Sequence, residues 1–177
     1  MNDQANDTAQ VRIETEQGTI TVAVDTTRAP GTAANFLRYV DGGFYDGGRF
    51  HRTVTMGNQP NDAVRIEVIQ AGIAPARDGE RFDPIALERT ITTGLAHRDG
   101  TISMARFTPD SAVSDFFICL GDQPSLNFGG ARNPDGQGFA AFGQVVEGMD
   151  VVRAIQTAPA EGQKLTPPVA IRSARRV

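Results

Sequence analysis

The side chains that could do chemistry are few, and most of the usual chemistries fail on them. The chain has one cysteine (Cys119) and two histidines (His51 and His97). A serine hydrolase would need one of these histidines as a general base beside a serine, and no G-x-S-x-G elbow presents a nucleophile. His51 follows Phe50 in a strand-like run and reads as a hydrogen-bonded structural residue, while His97 reads as a turn residue beside Arg98. One thiol and two imidazoles fall short of a closed zinc site, and a lone cysteine forbids an internal disulfide. Gly129-Gly130 and Gly136-x-Gly138 are followed by no Walker lysine, and no G-x-G-x-x-G opens a helix after a strand. They read as turns between strands. Aspartates and glutamates are scattered over turns and polar strand positions, with no pair placed for acid–base work. Of the seventeen basic residues only Lys164 is a lysine. That skew fits codon usage in a GC-rich genome and by itself singles out no arginine.

Composition narrows the class further. The 177 residues are 40% hydrophobic and 21% charged, the profile of one ordinary globular domain. A net charge of −4 leaves no electrostatic footprint for nucleic acid or an anionic membrane. No apolar run is long enough to span a bilayer. The nineteen glycines and ten prolines argue against a helical bundle.

The elements that must position any site can be read from periodicity. Residues 1–10 are polar and amide-rich and are expected to form a disordered lead-in, with the domain at 11–177. The lead-in has no signal-peptide h-region, which favours the cytoplasm, although a trimmed export signal with a restored Met1 would read the same and keeps the periplasm open. Residues 11–15 and 20–24 alternate apolar and polar around Gln17-Gly18, a hairpin signature. Ala34, Phe36, Leu37 and Val40 recur at helical spacing, so a helix is expected over 31–41, opened at Pro30 or Thr32 and stopped by Gly42-Gly43. Short β-like stretches follow at 49–51, 64–70, 101–105, 115–120 and 140–146, and residues 52–61 read as an exposed loop. A second helix is expected over 147–156 and a last strand near 169–173. Two helices on a mostly antiparallel strand set predict a mainly β fold, a closed barrel capped at its ends.

Several separated motifs recur in one order. They are Ala29-Pro30-Gly31-Thr32-Ala33-Ala34-Asn35-Phe36, Phe50-His51-Arg52, residues 66–72 (IEVIQAG), 100–106 (GTISMAR), 114–118 (SDFFI), 126–128 (LNF), 139–145 (FAAFGQV) and 146–152 (VEGMDVV). In this series the chain resembles the cyclophilins, which are peptidyl-prolyl cis-trans isomerases, from about Val11 to Arg175. The resemblance implies a closed antiparallel eight-stranded β-barrel capped by two α-helices. It implies an enzyme that accelerates rotation of Xaa-Pro bonds, without cofactor or metal, acting as a monomer on proline-containing peptides and unfolded segments.

The resemblance also assigns roles. Arg52 matches the catalytic arginine and Gln70 the glutamine that holds the substrate backbone. Phe117, Leu126 and Phe139 would line the proline slot, with Val68, Met104 and Ala105 completing the substrate-binding surface. There are departures. The stretch between Arg52 and Gln70 is longer than in compact cyclophilins, and the Pro-Gly-Phe-Met step after the arginine has no counterpart. Val68 would then supply apolar contact while Glu67 points away, or Met56 would fold over from the inserted loop. Ser125 stands at the family's common tryptophan, so weak cyclosporin binding is expected. Phe139 replaces a frequent ring histidine, and Asp115 a frequent glutamine, making the adjacent subsite more acidic. A proline-peptide binding or chaperone module with weak or no isomerase activity is the alternative reading.

Overall fold

The computed structural model describes residues 8–177. Nine strands and three helices follow in the order β1 (Thr8–Thr15), β2 (Gly18–Asp25), α1 (Pro30–Asp41), β3 (Arg49–Val54), β4 (Val68–Gly72), α2 (Thr90–Thr93), β5 (Thr101–Met104), β6 (Phe116–Cys119), β7 (Ala141–Glu147), α3 (Met149–Gln156), β8 (Ala160–Glu161) and β9 (Lys164–Arg176). The antiparallel ladder runs β1-β2-β7-β5-β6-β4-β3-β9, and β1 pairs again with β9. Eight strands therefore close a barrel, and β8 adds a two-residue edge beside β9. Closure satisfies the backbone groups that an open sheet would leave bare.

Alternation explains which side chains fill the barrel. Val11, Ile13, Ile20, Val22 and Val24 from the first hairpin are buried, together with Phe50, Ile69, Ala71, Ile102, Met104, Phe116, Ile118 and Phe142. Phe36 of α1 reaches into this core, its ring 5.5 Å from Phe116 and 5.2 Å from Phe142. Tyr45 packs against Phe36 and Phe116 and donates its hydroxyl to the Ser114 carbonyl at 2.7 Å. A fully buried phenol with its one proton donated keeps both its apolar area and its hydrogen bond.

Several boundaries differ from those the sequence suggests. Thr8, Ala9 and Gln10 pair with Asp25, Val24 and Ala23, so the first strand takes in three residues assigned to the lead-in; residues 1–7 lie outside the described residues. Arg52, Thr53 and Val54 belong to β3, and the exposed loop begins only at Thr55. The strand expected over 64–70 lies at 68–72, because residues 64–67 still belong to the long loop before it. The last strand extends from Lys164 to Arg176 through Pro167-Pro168, with the irregularity absorbed as a break in pairing. The short α2 and β8 carry too few residues to leave a periodic signal.

Helix α1 lacks a side-chain cap from its own N-terminal flank. Glu88, on the far loop, supplies one: its carboxylate accepts from the Gly31 N–H at 3.3 Å, and from the Thr32 N–H and hydroxyl at 2.5 Å each. A negative charge here meets the orphan donors and the positive end of the helix dipole. We expect Glu88→Ala to lower the unfolding free energy by about 1 kcal/mol, read as a shifted urea midpoint at constant slope.

Candidate active site

The site forms on the outside of the barrel, where β3, β4, β6 and β5 lie side by side. Their register places Arg52 opposite Gln70, Gln70 opposite Phe117, and Phe117 opposite Ser103, a single row across four strands. Members of one row share a face. Phe116 therefore points into the barrel and Phe117 out of it, so simple alternation and a pocket role are the same fact. Arg52 reaches this face because the β3–β4 register shifts between Phe50 and Arg52, leaving His51 as the extra residue of a bulge. Phe50 keeps its place in the core while Arg52 and Val54 turn outward.

A second apolar cluster floors the groove: Val54, Ile66, Val68, Phe117, Cys119 and Leu126, with Ala105 and Phe139 packed against it. The groove above it measures about 620 Å³ and is lined by Arg52, Gln70, Val68, Ala105, Phe117, Leu126 and Phe139 among others. Seven of the eight sequence-predicted site residues thus meet. Met104 does not. It faces Phe116 across β5 and β6 and lies in the barrel core, one residue out of phase with Ser103 and Ala105. Met56 is exposed and lines no wall, and Glu67 turns toward α3, accepting from Gln156 Nε2 at 3.3 Å. Ile66 and Val68 form the wall instead.

Polar groups behind Arg52 hold it from two sides. Its Nε donates to Gln163 Oε1 at 2.9 Å and its Nη1 to Gln70 Oε1 at 3.0 Å. Gln70 Nε2 in turn donates to Asp115 Oδ2 at 3.0 Å, and His51 Nε2 donates to the same oxygen at 2.9 Å. The side-chain amide of Gln70 is thereby oriented, carbonyl to the guanidinium and amide to the carboxylate. Asp115 fits because residue 72 is glycine: a Cβ there would stand 2.5 Å from Asp115 Oδ1. Burial, and then Arg132 nearby, push the Arg52 guanidinium below its usual pKa. A partly desolvated cation in this setting interacts more strongly with whatever enters the groove.

The two long loops make the groove's outer wall, and two arginines hold them. Gln59 is buried in the first loop, donating to the Thr55 and Ile66 carbonyls at 2.7 Å each and accepting from the Ile66 N–H at 3.1 Å. Arg132, from the second loop, donates to Gln59 Oε1 and to the Val64 carbonyl at 2.8 Å. Arg106 grips the same second loop through Asp135 and the Gly138 carbonyl, with its guanidinium 4.8 Å from the Phe139 ring centroid. Gln163, Arg132 and Gln59 escape sequence reading, since they act through loops whose course carries no periodicity.

His97 is not a turn residue. It lies buried beneath the groove, its ring stacked on Phe117 at 5.9 Å with an 11° interplanar angle. Asn127 Oδ1 accepts from the His97 N–H and from Nδ1, each at 2.8 Å. An amide oxygen only accepts, so Nδ1 carries the proton and Nε2 accepts the Ser103 hydroxyl at 2.8 Å. Burial pushes the His97 pKa down to about 4. Cys119, also buried, is held far above its ordinary pKa and is not a nucleophile. Among the described residues no cluster of His, Cys, Asp and Glu could hold a metal ion.

Fold and groove together define a class, and comparison with known proteins identifies it. The family described as "Cyclophilin type peptidyl-prolyl cis-trans isomerase/CLD" matches residues 10–176. A peptidyl-prolyl cis-trans isomerase of Acinetobacter baylyi is 37% identical over 84% of this chain and 72% of its own length. Peptidyl-prolyl cis-trans isomerase cyp18 of Streptomyces antibioticus is 35% identical over 93% and 96%. A crystal structure of a Cryptosporidium parvum cyclophilin-type isomerase superimposes with a TM-score of 0.76 at 22% identity, covering 96% of this chain and 98% of that one. That structure was also solved in the presence of the dipeptide Ala-Pro. The chain belongs to the cyclophilin-type peptidyl-prolyl cis-trans isomerases.

The neutral, buried His97 makes stability depend on pH. Its folded pKa lies near 4, below the ordinary value of 6.5, so the unfolded chain binds the extra proton first. Stability from this group is complete above about pH 6.5, falls as pH drops toward about 4, and is level below that, a loss of up to about 3 kcal/mol. Urea midpoints measured across this range should show the decline in the wild type and a flatter profile in His97→Gln.

Proposed function

We propose that Arg52 is the group that lowers the barrier to prolyl rotation and that the Val68–Phe117–Leu126–Phe139 floor seats the proline ring. The planar amide resists rotation by roughly 18–20 kcal/mol because the nitrogen lone pair is delocalised into the carbonyl. Twisting localises that pair on nitrogen and removes the resonance. A donor that meets the twisted amide more strongly than the planar one accelerates the reaction without any covalent step. A gain of about 10⁵-fold corresponds to about 7 kcal/mol.

The observation that carries this reading is the two-sided grip on Arg52. Gln163 and Gln70 take Nε and Nη1, which fixes the plane of the guanidinium and leaves the remaining donors at the groove. A preoriented donor loses little entropy as the transition state forms. Gln70, itself held by Asp115, keeps an amide hydrogen for a substrate carbonyl. Ala105 leaves room for the substrate backbone on the neighbouring strand. Ile66 and Val68 supply the apolar wall whose absence would favour a binding module without catalysis, so the isomerase reading is preferred. The enzyme acts as a monomer on Xaa-Pro segments of flexible chains. Cyclosporin binds weakly because Ser125 offers no indole.

NMR exchange on a short Ala-Pro peptide tests the assignment. Arg52→Ala should lose about 10²- to 10³-fold in kcat/KM, a typical magnitude for removing one transition-state donor. Gln163→Ala should lose about tenfold in kcat with KM nearly unchanged, since the guanidinium remains but is no longer fixed. Equal rates for wild type and Arg52→Ala would overturn the role of Arg52. Cyclosporin titration of the same assay should show weak inhibition.

A further inference from the structure

A second cavity opens on the other side of Arg52. It measures about 430 Å³ and is lined by Arg49, His51, Arg52, Gln163, Lys164 and Pro168. Its origin lies in the β3–β9 ladder, where Phe50 pairs with Val169 and the next partners are Arg52 and Lys164. One residue on β3 therefore faces four on β9. Pro167 and Pro168 have no N–H to donate, so the ladder cannot be completed there, and the gap becomes the cavity.

The charge in this cavity is unusual for an acidic protein. Three cations line it (Arg49, Arg52 and Lys164), with no Asp or Glu among the lining residues. Arg49 and Lys164 are exposed and form no ion pair among the described residues. By contrast Arg28, Arg77, Arg81, Arg106, Arg132, Arg175 and Arg176 each meet an aspartate or glutamate. The carboxylate that reaches this region, Asp115, is already shared between His51 and Gln70. Lys164 also stands beside Arg52 in the ladder, so the cross-strand register reads Lys164–Arg52–Gln70–Phe117–Ser103. A substrate chain lying along the groove thus passes from the proline seat, over Arg52, into a positively charged recess.

Resting on the isomerase reading, we propose that this recess is a subsite for an acidic side chain, Asp or Glu, carried by the substrate polypeptide within a few residues of the isomerising proline. The anion meets Arg49 and Lys164 while Arg52 remains directed at the prolyl amide. The attraction is partly exposed, so it is modest and screened by salt. It acts as selection among Xaa-Pro segments and leaves the chemical step unchanged.

The test uses peptides identical except at one position, occupied by Glu, Gln or Lys, scanned over three residues on either side of proline. NMR exchange gives kcat/KM, and titration calorimetry gives affinity. In at least one register Glu should exceed Lys by about three- to tenfold at low salt. That gap should shrink in high salt and in the double variant Arg49→Ala/Lys164→Ala, whose rate on neutral Ala-Pro peptide should stay at the wild-type level. A gap that is absent in every register, or that persists unchanged in the double variant, overturns the subsite. Failure of wild type to turn over the neutral peptide would instead count against the isomerase reading, and the Glu-to-Lys affinity ratio would still decide the subsite.

Discussion

The single extra residue at His51 is the constraint on which the site depends. Strict alternation along β3 would place Phe50 inside the barrel, His51 outside, and Arg52 inside again. A guanidinium there would have no acceptor and would bear the full cost of desolvation. The bulge resets the phase after Phe50, so the core keeps its aromatic ring and the outer face receives Arg52 and Val54 together. One residue of slippage thus converts a strand that builds the core into one that serves both core and groove.

Behind that bulge the structure commits several buried or half-buried polar groups to geometry. Asp115 holds Gln70, Gln70 and Gln163 hold Arg52, and Gln163 Nε2 donates to the Asn58 carbonyl at 3.2 Å, tying the guanidinium's support to the long loop. His97 seats Phe117 from below while Asn127 and Ser103 saturate its ring nitrogens. Among the described residues no buried side-chain polar atom is left without a partner. A network satisfied to this degree resists rearrangement, which suits a reaction that needs a donor in place before the amide twists.

Much of this is legible in the sequence, and the exceptions have physical causes. The first strand shows in alternation because its inward residues are dry and its outward ones wet, as in 11–15, whereas β5 and β6 are buried on both faces and alternate less. Arg52, Gln70, Phe117, Leu126 and Phe139 are found through motif register, and the structure brings them to one groove. Met104 misleads because it adjoins Ala105 in the motif, and one residue in a strand is the difference between core and groove. His97 misleads because a neighbouring Arg98 and Asp99-Gly100 look like surface, although the ring itself is buried. Gln163 and Arg132 act from loops distant in sequence, where contact depends on the path of the chain and no local pattern records it.

The closed barrel has a meaning for an isomerase that works on other polypeptide chains. Extended client segments carry unpaired amides and seek sheet edges to pair with, which is how stray strands begin aggregates. Here the ladder returns from β9 to β1, and among the described residues the one appended edge is the two-residue β8. An extended chain that meets the barrel therefore finds almost no strand to extend. An open sheet would instead offer such a chain a free edge to pair with.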